Sequence, residues 1–365
     1  MSSLLDKMKK ASIIKESSIV SESRFFSTKG TDSVPTDIPI INIALSGSID
    51  DGLHKGLTFI AGPSRHFKSM LGLVLIRSYL NSDPEAICVF FDSEFGITRE
   101  YLDANGIDVD RVIHVPITSI EELKFDLIKK LEAVDSGNKV IFFVDSIGNL
   151  ASKKELEDAI DGKSVTDMSR AKSLKSLWRM VTPYFTINDI PCIVVNHTYE
   201  EQKLYGKQIM SGGQGGMLSA NQVFFVGKSQ EKEGADLVGY NFTINVEKSR
   251  YVKERSKLPF TVTWEGGIQK YSGLMDIAVE AGIVIKPSQG YYQKVNLETG
   301  EADGKKYRLK ETNTAEFWES VLKSNEFKTF VQKKYKISAE SIMKNDSSDS
   351  RESITLEESN TYENV

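Results

Sequence analysis

Four unbroken apolar runs limit what this chain can fold into: LTFIAG (57–62), ICVFFDSE (87–94), VIFFVDS (140–146) and PCIVVNHT (191–198). Strands with no polar face must be buried on both sides, and helical crossovers between them produce a parallel sheet covered on both faces. The crossovers are visible as apolar residues at helical spacing in 68–80, 121–134 and 168–185. Three later runs, 222–230, 240–250 and 260–267, alternate apolar and polar residues as an antiparallel edge of the same sheet does. The expected fold is an α/β core over 31–270. Before it, 1–30 holds a short amphipathic helix (Leu4, Leu5, Met8, Ile13, Ile14) and a linker; after it come a small α/β module over 271–344 and a polar tail over 345–365.

Composition removes several classes. With 40% hydrophobic and 27% charged residues the chain is neither collagenous nor wholly disordered. No apolar run approaches the roughly 18–20 residues of a membrane span, so a soluble, cytoplasmic protein without a membrane partner is expected. Cys88 and Cys192 sit in apolar runs and read as buried free thiols, and four scattered histidines offer no zinc cluster. The net charge of −5 resides in the tail, where six acids face one base, so residues 1–344 sum to zero. That tail is too polar to fold; it reads as a solubilising segment or as an acidic competitor for a nucleic-acid groove.

Between the first strand and its helix lies Gly62-Pro63-Ser64-Arg65-His66-Phe67-Lys68-Ser69, the setting of a phosphate-binding loop. Backbone N–H groups and the helix N-terminus cradle phosphate oxygens, Lys68 reaches the β/γ-phosphates, and the Ser69 hydroxyl ligates Mg²⁺. Phe67 stands where the second glycine of the pattern belongs. A bulky residue at positive φ costs about 1–3 kcal/mol, so Phe67 is expected at negative φ with its ring on the sheet, Gly62 making the tight turn. Two further strand ends supply carboxylates: Asp145 to hold the metal, and Asp92 with Glu94 to polarise the attacking water. His197, at the fourth strand end, can sense the γ-phosphate and signal to the loop that follows. The chemistry is that of an ATPase using ATP and Mg²⁺.

These residues resemble the RecA-type recombinases, most closely the UvsX recombinases of T-even-like phages. The likeness is carried by GLTFIAGPS…FKS, FFDSEFGIT (90–98), FVDSIGNLASKKE (143–155), IPCIVVNHTYE (190–200), SGGQGG (211–216), NVEKSR (245–250) and GGI…YSGLMD (266–276). The resemblance implies Glu94 as the catalytic carboxylate, Tyr101 stacked on adenine, Thr98 in the place of an adenine-contacting aspartate, and Trp264 near the nucleotide across a subunit interface. It implies Lys248 and Arg250 reaching a neighbour's γ-phosphate. Two bases at i and i+2 share one face of a strand.

It also implies two DNA-binding loops, about 151–168 and 198–216, with Arg170, Ser173, Tyr199, Lys203, Lys207, Gly212 and Gly213 facing DNA. The N-terminal helix would pack on the neighbouring subunit, with Phe25 or Phe26 as anchor. The implied function is a DNA-dependent ATPase that forms homo-oligomeric helical filaments on single-stranded DNA, pairs it with duplex DNA and exchanges strands, aided by a single-strand binding protein and a mediator. Two other readings compete: a ring helicase of the same fold, and a non-catalytic scaffold with a decayed site.

Overall fold

A computed structural model describes the chain except residues 1–3, 15–16, 24–32, 136, 163–168, 202–205, 297–298 and 338–365. Phe25, Phe26 and the acidic tail therefore lie outside the described residues. In chain order the first elements are α1 (Leu4–Ala11), α2 (Pro39–Ser46), β1 (Gly56–Gly62), α3 (Lys68–Ser82), β2 (Ile87–Asp92), α4 (Arg99–Ala104), β3 (Val112–Pro116) and α5 (Ile120–Glu132). They are followed by β4 (Val140–Asp145), α6 (Lys153–Ile160), α7 (Ser169–Ile187), β5 (Pro191–Glu200), β6 (Gln208–Met210) and α8 (Gln214–Ser219). A meander of β7 (Gln222–Glu233), β8 (Asp236–Ser249), β9 (Lys257–Thr263) and β10 (Gly267–Ile268) closes the core. The last module is α9 (Leu274–Glu280), β11 (Val284–Ser288), β12 (Tyr291–Lys294), β13 (Tyr307–Arg308), α10 (Ala315–Lys323) and α11 (Asn325–Tyr335).

The main sheet runs β10-β9-β8-β7-β1-β5-β4-β2-β3, with β6 hydrogen-bonded to β5. Pairing is parallel from β7 to β3 and antiparallel from β7 to β10. Register decides where the chemistry falls: Gly62 lies opposite His197 and Asp92 opposite Asp145, so the strand ends are level. Ligands of open α/β sheets bind at that carboxyl edge.

The two faces are sorted residue by residue along each strand. On β4, Val140, Phe142 and Val144 belong to the core under α5 and α7, while Ile141 and Phe143 belong to the core on the other face, under α3. The C-terminal module shares the second core through Phe317, Trp318 and Phe327, and β11–β13 form their own antiparallel sheet. The β7–β8 hairpin is longer than its alternating run implies, with strands of 12 and 14 residues.

Helix α2 and strand β3 are among the elements without a sequence expectation. Every residue of α2 is buried, so it has no polar face, but Pro39 opens it and Gly47 at φ 71° ends it. The edge strand β3 is mostly solvent-facing. Among the described residues no helix is long and apolar enough to cross a membrane. Cys88 and Cys192 are buried free thiols, and burial raises the pKa of both.

Candidate functional site

The phosphate loop departs from expectation at its bend. Phe67 lies in the left-handed region at φ 60°, ψ 16°, as does Arg65 at φ 61°. Gly62 is simply the last residue of β1, and a Cβ there would sit 3.0 Å from the Val226 carbonyl oxygen, so it serves close approach to β7. The ring does pack on the sheet, stacked on Phe242 (centroids 4.9 Å apart) and tilted against Phe260 (5.8 Å). Aromatic burial on β8 and β9 offsets the backbone cost that a glycine would avoid. The rest of the loop is braced by His66 Nδ1 against the Ser64 carbonyl (2.9 Å) and by Lys228, whose Nζ donates to the Arg65 carbonyl (3.3 Å).

Lys68 opens α3 and is buried, its Nζ donating to the Pro63 carbonyl (2.7 Å). Burial lowers its pKa against the opposing pull of Asp145 and Glu94. Asp145 ends β4, also buried. Its pKa is raised to about 6, first by burial and then by Glu94 and Asp92, although Ser69 hydrogen-bonds it and Lys68 stands near. Carboxylates thus crowd around one ammonium, with a hydroxyl beside them. That donor set suits a hard divalent cation, which takes oxygen ligands and offsets their repulsion. Among the described residues no cluster of three His, Cys, Asp or Glu side chains forms an all-protein metal cage, so phosphate or water oxygens would complete the shell.

Glu94 is restrained by three neighbours on one oxygen. Ser146 Oγ (2.6 Å) and Asn149 Nδ2 (3.0 Å) donate to Oε1, and His197 Nε2 lies 3.2 Å from it. Burial acts to raise this carboxyl, but the bonds from Ser146 and His197, with the charges of His197 and Lys68, hold it below the usual range. Asp92 serves the backbone instead. Its Oδ1 accepts the amides of Glu94 (3.0 Å) and Phe95 (2.8 Å), which fixes the turn presenting Glu94. Asn149 has no role in the sequence reading, although it lies inside the motif FVDSIGN; its distance from Glu94 along the chain hides the contact.

Lys68, Ser69, Glu94, Tyr101, Asp145 and His197 all border one cavity of about 440 Å³. Tyr101 is half exposed at its rim. Thr98 caps α4, its Oγ1 accepting the Tyr101 amide (3.3 Å). Trp264 is not part of this cavity. It is 63% exposed, its Nε1 donating to the Leu237 carbonyl (3.2 Å) and its ring edge-on to Tyr240.

Both expected loop segments contain regular elements. The first contains α6, opened by a reciprocal cap between Ser152 and Glu155. In the second, β5 continues through Tyr199 and pairs with β6, Tyr199 opposite Ile209. Tyr199 and Lys207 are exposed, whereas Lys203 lies outside the described residues. Gly212 and Gly213 have φ of 88° and 78°, and a Cβ on Gly212 would meet Leu174 at 2.5 Å. Arg170 and Ser173, expected to face DNA, both bond within the chain. The Arg170 guanidinium is spent on the carbonyls of Ile147, Gly148 and Leu150, and Ser173 Oγ donates to Glu121 (2.7 Å).

Lys248 and Arg250 stand well away from this chain's own phosphate loop. Lys248 pairs with Val223, which pairs with Phe59, so it lies two strands across and three residues below Gly62. At strand spacings that is roughly 14 Å, beyond a lysine's reach. Lys248 Nζ donates to the last carbonyls of α8, Met217 (2.7 Å) and Leu218 (3.0 Å), and Arg250 is exposed.

Known proteins resemble this chain in sequence. The family model of the RecA N-terminal domain matches residues 11–269, and that of the bacteriophage T4 recombination and repair protein C-terminal domain matches 271–331. Over 343 residues the chain is 50% identical to the recombination and repair protein of Enterobacteria phage T4, spanning 93% of this chain and 87% of that one. It is 25% identical to Protein RecA of Tropheryma whipplei over 304 residues, 80% of this chain and 68% of that protein. Protein RecA of Pseudomonas putida is 26% identical over 265 residues, 70% and 72% of the two chains.

Proposed function

The chain belongs to the RecA family of recombination and repair proteins, and on that premise we propose that it is a DNA-dependent ATPase that forms helical filaments on single-stranded DNA and exchanges strands with a homologous duplex. The observation that carries this is the junction at β5. The strand that brings His197 to Glu94 continues without a break into the exposed Tyr199 hairpin, so nucleotide and DNA surfaces share one backbone.

In this reading the P-loop amides from Ser64 to Ser69 and the Lys68 ammonium hold the β/γ-phosphates, and Tyr101 stacks on the adenine. Mg²⁺ held by Ser69 and Asp145 would neutralise phosphate charge. Glu94 orients the attacking water and accepts its proton, a task served by a carboxyl that stays ionised. For that it must exchange its bonds to Ser146, Asn149 and His197 for one to water, with His197 turning to the γ-phosphate. Lys248 and Arg250 of an adjacent subunit supply cationic charge to the phosphoryl oxygens, and Trp264 lies beside the nucleotide across the same interface. A trans cation is worth roughly 10³–10⁵ in rate, so hydrolysis requires two subunits in register, which DNA sets.

DNA contact falls to Tyr199, Lys203, Lys207 and the Gly212–Gly213 backbone, combining phosphate neutralisation, stacking and exposed N–H groups. The protein acts in the cytoplasm with a single-strand binding protein and a mediator. Electron microscopy with single-stranded DNA and a slowly hydrolysed ATP analogue tests the proposal. Continuous right-handed filaments are expected; closed hexamers, or particles indifferent to nucleotide, would overturn it.

A further inference from the structure

Arg170 is the most heavily bonded cation at the DNA edge of the core. Its Nε donates to the Leu150 carbonyl (2.8 Å), its Nη2 to those of Ile147 and Gly148 (both 2.8 Å), and its Nη1 to Ser211 Oγ (3.3 Å). Four of five guanidinium hydrogens are therefore committed within the chain, leaving one for a phosphate.

What those acceptors belong to gives the arrangement its meaning. Residues 146–149 form the segment that restrains Glu94, through Ser146 Oγ and Asn149 Nδ2. Gly148 lies so close under His197 that a Cβ there would meet the ring at 2.1 Å. Ser211, on the other side, follows β6, its amide donating to the His197 carbonyl (2.9 Å) and its carbonyl accepting from Asn196 (2.8 Å). The start of α7 is tied to the start of α6 as well, because Glu121 accepts both Ser173 Oγ (2.7 Å) and the Lys153 amide (2.8 Å).

We infer that Arg170 is a positioning residue that transmits the arrangement of the two DNA-facing segments to Glu94, rather than a DNA phosphate contact. The inference rests on the proposed DNA-dependent ATPase. Displacement of Ser211 or of the α7 N-terminus on DNA moves the guanidinium, and with it the three carbonyls that fix the 146–149 segment. Misplacing a catalytic group by about 1 Å costs roughly 10²-fold in rate.

The test uses the full-length protein and separates charge from geometry. Arg170→Lys keeps the cation but cannot bridge three carbonyls and a hydroxyl; Arg170→Gln removes the charge. Both variants are expected to lose on the order of 10²-fold in kcat of hydrolysis on single-stranded DNA, with the KM for ATP, the affinity for single-stranded DNA and its salt dependence as in the wild type. If Arg170→Lys turns over normally while Arg170→Gln weakens DNA binding and lowers the salt slope by about 0.7, the side chain is a phosphate contact and the inference is overturned. Should the variants not fold, hydrogen exchange of wild-type amides 146–150 decides, since their protection must change when DNA is added to the ATP-analogue complex; unchanged protection overturns the inference. A wild-type protein whose hydrolysis ignores single-stranded DNA overturns instead the function on which the inference rests.

Discussion

Replacing Phe67 by alanine and by glycine separates the two forces that shape the phosphate loop. Phe67 is half-buried, its ring stacked 4.9 Å from Phe242, and its backbone is left-handed. Truncating a fully buried phenylalanine costs about 3–5 kcal/mol, so half that burial predicts a loss of about 2 kcal/mol for Phe67→Ala. Glycine loses the same ring but regains the roughly 1 kcal/mol that any residue with a Cβ spends at positive φ, leaving Phe67→Gly about 1 kcal/mol below the wild type. In ordinary element interiors the order is the reverse, glycine being worse than alanine by about 0.5–1 kcal/mol. Thermal unfolding without nucleotide reads the difference, at roughly 2–4 °C per kcal/mol for a core of this size. Phe67→Ala should melt lowest and Phe67→Gly between it and the wild type. The glycine loop, no longer anchored to β8 and β9, should also raise the KM for ATP. If glycine proves no more stable than alanine, the left-handed bend is not strained and the account of this loop fails.

Three other perturbations follow from the same structure. His54 is buried and stacked on Tyr251 (centroids 3.8 Å), and burial lowers its pKa from 6.5 to about 4, with Lys336 and Lys55 adding to it and Asp51 opposing. A histidine held neutral contributes stability above its unfolded pKa that is lost as pH falls from 6.5 toward 4, on the order of 3 kcal/mol; His54→Phe should flatten that slope in denaturant titrations at successive pH values, and an unchanged slope would discount this group. Gly148→Ala places a methyl group against His197 and should cut DNA-stimulated hydrolysis by roughly 10²-fold while nucleotide binding, read by fluorescence titration, persists; normal turnover would show that His197 is not held by this contact. Deleting 345–365, with its six acids and one base, should strengthen duplex binding and lower the magnesium it needs; identical salt and magnesium titrations would leave the tail a solubilising role alone.

How much of this was legible in the sequence depended on whether a residue's partner was local. The level strand ends, Gly62 with His197 and Asp92 with Asp145, follow from apolar runs that each stop at a polar residue, a pattern visible in one dimension. Helix α2 was not legible by periodicity, because burial on all sides removes the polar face that periodicity detects. Strand β3 is short and half in solvent, so its residues carry little of the continuous apolar signal of its neighbours. At Phe67 the intrinsic preference for negative φ misleads, because the tertiary stacking that overrides it comes from strands more than 170 residues away. For Arg170 the residue type fits a phosphate and a set of carbonyls equally well; only the position of residues 147–150 separates them.

The claim that hydrolysis occurs between subunits is tested most directly by mixing two inactive proteins. Lys68→Ala lacks the phosphate-binding ammonium, and the Lys248→Ala/Arg250→Ala double variant lacks Lys248, roughly 14 Å from its own loop, together with Arg250, which lies farther still. Each alone should fail to hydrolyse ATP on single-stranded DNA, and the double variant should still bind nucleotide. Mixed in equal amounts they should recover measurable turnover, because an intact loop of one subunit then meets intact cations of the other. Normal hydrolysis by the double variant alone, or no recovery in mixtures that still form filaments, would contradict a site shared between subunits.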